Sequence, residues 1–158
     1  MRKFVLALAL LGGALVAVPA SADTPAAQLQ YLIGTWDCSV TGGMSFTETN
    51  MFEPMPGGSW IHGSGTAQSQ QGSIVTASYL EWDATSSRWV LVSILSSGLF
   101  TVATSASPSL NGSSWNEVYP TSGDTATITE NSPTQYTVER SGVMAGHKAV
   151  IDEICRKQ

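Results

Sequence analysis

The sequence predicts an all-β domain: an antiparallel up-and-down meander of roughly ten strands, closed into a barrel behind a short N-terminal helical turn. Three observations predict it. Bulky and polar residues alternate with a period of two in short runs over most of the chain, and no helical periodicity is long enough to bridge parallel strands. The only cysteines, Cys38 and Cys155, fall in the first and last of those runs.

Ala26 to Leu32 forms a helical turn that places Leu29 and Leu32 on one side. In Gly34 to Thr41, Trp36, Cys38 and Val40 alternate with Thr35, Asp37, Ser39 and Thr41, as a strand with one buried and one wet face requires. Gly42 and Gly43 supply a turn, and Met44 to Phe52 is a second strand ended by Pro54, Pro56, Gly57 and Gly58. Ser59 to Thr66 is a third, whose glycines predict a bulge or a bend. A polar loop, Gln68 to Gly72, leads into Ser73 to Trp82, and a turn over Asp83 to Ser87 leads into the most hydrophobic strand, Arg88 to Leu95. Ser96 to Gly98 returns the chain as Leu99 to Ser105. Within Pro108 to Ser113, Asn111 and Gly112 are the strongest two-residue hairpin signal. The last strands are Ser114 to Tyr119, Asp124 to Glu130, Thr134 to Arg140 and His147 to Cys155, with a turn over Gly142 to Gly146.

A meander this long splits into a sandwich or closes on itself, because an open sheet leaves unpaired edges. First and last strands meet when a barrel closes, and a disulfide needs Cα atoms within about 7 Å. A Cys38–Cys155 bridge therefore favours a barrel, although a sandwich with adjacent termini also satisfies it.

Arg2 and Lys3, the apolar run Phe4 to Val18, and the small residues Ala20, Ser21 and Ala22 form a secretory signal, with cleavage expected after Ala22. The mature chain, 23–158, is then one domain with no membrane span, periplasmic or secreted, where a disulfide is the expected state of two cysteines. Cleavage removes two of the 7 basic residues and none of the 12 acidic ones, so the net charge moves from −5 to −7. Such a chain is a poor ligand for nucleic acid and for anionic membrane surfaces.

Leu32, Ile33, Gly34, Thr35 and Trp36, following a helical turn and opening the first strand, resemble the Gly-x-Trp signature of lipocalins and related calycin barrels. The hairpin of Tyr79 to Asp83 with Arg88 to Val92 resembles the middle hairpin of bacterial lipocalin-like domains and of nitrobindin-like barrels. The resemblance implies a ten-stranded calycin-like barrel in which Gly34 and Trp36 are structural at the closed end. It also implies a basic residue over Trp36, assigned to Arg140 or Arg156. No second lipocalin signature is present. Nitrobindin-like barrels hold haem through a late histidine, which makes His147 the axial candidate here.

Catalytic signatures are absent. His62, Gly63, Ser64 and Gly65 resemble an oxyanion loop, but no strand-turn-helix elbow holds a serine, and a bend in a Gly-rich strand explains the run. Two distant histidines and bridged cysteines do not make a zinc site, so no metal is expected. Tryptophans fill cores or line cavities. Trp36 is assigned to the core, and Trp60, Trp89 and Trp115 are the candidates for lining a ligand cavity. The expectation is a non-catalytic exported protein, with no resident cofactor, that binds a small hydrophobic molecule in its lumen. The alternatives are haem binding through His147, or an inert scaffold whose outer face meets a protein partner as an inhibitor or assembly factor.

Overall fold

The computed structural model describes residues 24–43, 45–70, 72–144 and 147–158. The expected signal segment lies outside them. The first element is helix α1, Pro25–Leu32, followed by ten strands: β1 Gly34–Gly42, β2 Phe46–Pro54, β3 Trp60–Ser69, β4 Gly72–Asp83, β5 Arg88–Leu95, β6 Phe100–Ser105, β7 Ser113–Tyr119, β8 Thr125–Ser132, β9 Gln135–Met144 and β10 His147–Lys157. Each strand pairs antiparallel with its neighbours in sequence, and β1 pairs with β10, so the sheet is a closed barrel without edges. Cys38 lies directly opposite Cys155 across that seam, and the two form a disulfide with Cα atoms 4.0 Å apart. The bridge is compatible with an oxidising compartment.

Local chemistry starts α1. The Thr24 hydroxyl accepts a hydrogen bond from the Ala27 amide, and Pro25 occupies the first turn, where a missing N–H costs nothing. The helix then lies across one end of the barrel and drives Leu29 and Leu32 into it. Gln28 fastens the β6–β7 connection there, donating to the Pro108 carbonyl at 3.1 Å and accepting from the Leu110 amide at 2.6 Å. Leu110 is fully buried as part of the plug. The Tyr31 hydroxyl lies 2.9 Å from the carbonyls of both Ser132 and Gln135, tying the helix to the β8–β9 turn.

Inside the closed end Trp36, Trp89, Trp115, Ile61, Leu80, Tyr136 and the disulfide form one core. Trp36 packs edge-on against Tyr136, with ring centroids 4.8 Å apart, and its indole donates to the Leu32 carbonyl at 2.7 Å. Its cationic cover is Lys157, whose ammonium stands 5.1 Å from the ring centroid and donates to the Tyr31 carbonyl. The assignment to Arg140 or Arg156 is corrected by strand parity. Arg156 alternates to the outer wall, and Arg140 faces the lumen farther up the barrel.

Three further readings are revised. β3 is neither bulged nor interrupted, since its register with β2 and β4 runs continuously from Ile61 to Gln68. Its glycines answer a steric demand instead. A Cβ on Gly63 would collide with Ser78 Oγ and the Phe52 ring, and one on Gly65 with Asn50 Oδ1. Asn111 and Gly112 do not link two strands as a two-residue hairpin. They end a seven-residue connection, 106–112, which is long because it must carry Leu110 back under the barrel. Strand β9 also continues past Arg140 through Val143, opposite Lys148, where glycine content predicted a turn.

A candidate ligand site in the barrel lumen

Alternation and register assign the inner side chains, and the two halves of the lumen differ. Near α1 the inward residues are sealed: Trp36, Trp89, Leu110, Ser105 and Ser113 have almost no exposed surface. Toward the other end β4, β5 and β6 turn Thr76, Ser78, Leu91, Ser93, Thr101 and Ala103 inward, and all six are only half-buried. Their strands are paired on both sides, as are those carrying Trp89 and Ser105, so the contrast is one of filling. Small side chains fill less of a ten-stranded barrel's interior than large ones, and these six keep part of their surface exposed.

Facing this small-residue wall is a polar group from β2, β9 and β10, beside the β1–β10 disulfide. Arg140 donates from Nη2 to Glu153 Oε2 at 2.9 Å, with 57% of the Arg140 side chain but only 5% of that of Glu153 exposed. Arg140 is thus enclosed by barrel wall yet reached by water from the mouth. Glu153 Oε1 lies 3.2 Å from the Cys155 sulfur, which carries no proton in the disulfide, so that contact is not a hydrogen bond. The Asn50 amide donates to Glu48 and lies 3.6 Å from the Cys38 sulfur.

Burial pushes the Glu153 carboxyl up from 4.5 to about 6; the Glu48 charge adds to the rise and Arg140 opposes it. Burial also raises the Tyr136 phenol well above its ordinary range, helped by Glu153 and Glu48. Farther round the wall Glu117 is raised by burial and by neighbouring Asp124. The half-open lumen therefore combines an apolar floor with a hydrogen-bonding wall on which one carboxyl changes charge near neutral pH.

The residues singled out from sequence distribute unevenly over this site. Trp89 and Trp115 face inward but lie in the sealed floor, where the Trp115 indole donates to Ser113 Oγ at 2.7 Å. Trp89 packs edge-on against Trp82, and its Nε1 has no hydrogen-bond partner among the described residues. Trp60 takes the outer alternation of β3, opposite Glu81. His147 has the parity of Ala149 and Ile151, at the rim, and is exposed. His62 points outward, 3.5 Å from Glu53 and beside Tyr79. The donor atoms of Cys38, Glu153 and Cys155 cluster within 4.8 Å, but disulfide sulfurs are not the thiolates that bind metal.

Sequence reading passed over Glu48, Asn50 and Glu153. Their parity carries a signal: Glu48 and Asn50 alternate with the same face of β2 as Phe46 and Phe52, and Glu153 stands two residues before Cys155. A carboxylate sharing a strand face with apolar residues and a bridged cysteine has to be placed inside the barrel.

One solved structure agrees at the level of fold. A redesigned β-barrel is similar over 88% of this chain and 99% of its own, at 13% identity and a TM-score of 0.51. EF1p2_mFAP2b bound to DFHBI is similar over 85% of this chain and all of its own, at 15% identity and a TM-score of 0.49. The siderocalin Ex-FABP, described as functioning through dual ligand specificities, is similar over 81% of this chain and 71% of its own, at 8% identity and a TM-score of 0.41. No family model matches the sequence. No curated protein matches it either.

Proposed function

We propose that this chain is an exported, non-catalytic binding protein of calycin-like type, formed by 23–158 after loss of the leader 1–22, that holds a small hydrophobic molecule in the open half of its barrel. The observation that carries this reading is the half-exposed inner wall of Thr76, Ser78, Ser93, Thr101 and Ala103 above a sealed aromatic floor. The ligand's apolar body lies against Leu91, Ala103, Ala126 and Ile128, where each Å² removed from water contributes about 25 cal/mol. A single polar group on it meets Arg140 or Asn50, hydrogen-bonding groups on the facing wall.

Titration with the neutral dye N-phenyl-1-naphthylamine tests the reading. Enhanced fluorescence in the native protein, lost in Ala103→Trp while circular dichroism stays unchanged, supports it. Equal binding by both proteins, or none by either, overturns it. Haem held by His147 is the second reading, supported by that residue's parity toward the lumen at the rim. It requires a Soret band on haem addition that disappears in His147→Ala.

A further inference from the structure

Apolar surface is not spread evenly over the outside of the barrel. Ten large apolar residues are exposed among those described; Ile74 has inward parity, and of the other nine all except Met51 lie in the half remote from α1. They concentrate on the β4–β7 side of the mouth. Val75 lies near the start of β4, and Ile94 near the end of β5, directly opposite Phe100. Leu99, 66% exposed, closes the β5–β6 turn, and Val118 and Tyr119 end β7. Phe100 and Tyr119 stack in the open, with centroids 4.6 Å apart.

Charge follows the opposite gradient. The outer-wall carboxylates Asp37, Glu53, Glu81, Asp83, Glu139 and Asp152 occupy the middle and the closed end. The five connections at the mouth contain one acidic residue, Asp124, whose carboxylate accepts from the Val143 amide. Lys148, exposed near the start of β10, is the outward charge there. A chain of net charge −5 therefore presents a nearly neutral, aromatic and aliphatic lip around the entrance to its lumen.

We infer that this lip seats the barrel mouth-down on a zwitterionic lipid surface. Exposed apolar side chains at the strand ends of one rim, with a tyrosine among them, match the interface of a bilayer, where apolar groups enter the acyl boundary and a phenol remains among headgroups. A small patch at one rim enters a soft surface readily, whereas a stable protein contact needs a face of about 800 Å² on each partner. A second copy docked mouth to mouth would bring Glu117 and Asp124 of both chains together in the entrance, an arrangement of like charges. The anionic balance of the chain selects neutral over acidic headgroups. Docking depends only on the lip and not on an occupied lumen, so it can stand or fall apart from the ligand reading.

The test uses the full chain, expressed with its leader and recovered from the exported fraction, with phosphatidylcholine vesicles. Phe100→Trp puts an indole on the lip, while all five native tryptophans lie in the closed half. Quenching of that added indole by brominated phosphatidylcholine, and at least fivefold weaker vesicle co-sedimentation of Leu99→Ser/Phe100→Ser with unchanged circular dichroism, is the expected result. Unchanged sedimentation of the double variant, absence of quenching, or sedimentation velocity showing a dimer that buries the lip overturns the proposal.

Discussion

Arg140 and Glu153 form an ion pair across β9 and β10 whose two ends differ in their access to water: the guanidinium looks into the open lumen and the carboxylate is sealed in the wall. An acid in that position prefers its neutral form, and Glu153 titrates at about 6 where an ordinary glutamate titrates at 4.5.

A raised carboxyl value means that the folded state binds the proton more tightly than the unfolded chain. Its stabilising contribution is complete below pH 4.5 and is lost as pH rises through about 6. The thermal midpoint of the protein should fall between pH 5 and pH 7. Glu153→Gln, which keeps an acceptor for Arg140, should flatten that fall and be at least as stable as the native chain at pH 7.5. A parallel decline in both proteins would assign the pH dependence to other groups.

The disulfide closes a loop with a sequence separation of 117, and both sulfurs lie in the core. Loop-closure entropy then predicts that Cys38→Ala/Cys155→Ala loses about 4 kcal/mol in urea unfolding. A loss below about 1 kcal/mol would mean that the unfolded chain already holds its ends together.

Lys157 contributes twice, through the face of Trp36 and through the Tyr31 carbonyl. Lys157→Met keeps the aliphatic stem and removes the charge, and it should cost roughly 1 to 2 kcal/mol. Lys157→Ala should cost more, because the stem also covers apolar surface. Equal stability of Lys157→Met and the native protein would reduce the residue to packing.

Gly63→Ala should destabilise by about 1 to 3 kcal/mol, since its methyl meets Ser78 and Phe52. Combining it with Ser78→Gly should recover part of the loss, and denaturant curves of the two single variants and the double variant measure that coupling.

Much of the fold was legible in the chain because alternation is a strong signal wherever one face is apolar. β1 reads correctly from Trp36, Cys38 and Val40, and β5 has its observed bounds, Arg88–Leu95, because its core residues are bulky. Legibility fell where inner and outer residues are both small or polar. In β3, Gly63 and Gly65 face inward while His62 and Ser64 take the outer wall, so no hydrophobic period survives and a bend is the natural reading. The lumen was harder still. Which carboxylate is buried depends on strand parity relative to partners far away in sequence, and Glu48 and Glu153 meet only because β2, β1 and β10 lie side by side. The cover over Trp36 eluded sequence reading for the same reason: Lys157 and Arg156 are neighbours in the chain, and only the register says which one turns inward.

The helix and Leu110 seal one end, leaving the molecule a cul-de-sac. Whatever enters must leave by the same door, so arrival and departure share one route. Changes at the rim should then alter how fast a guest exchanges, while changes at the base alter how firmly the vessel itself holds together.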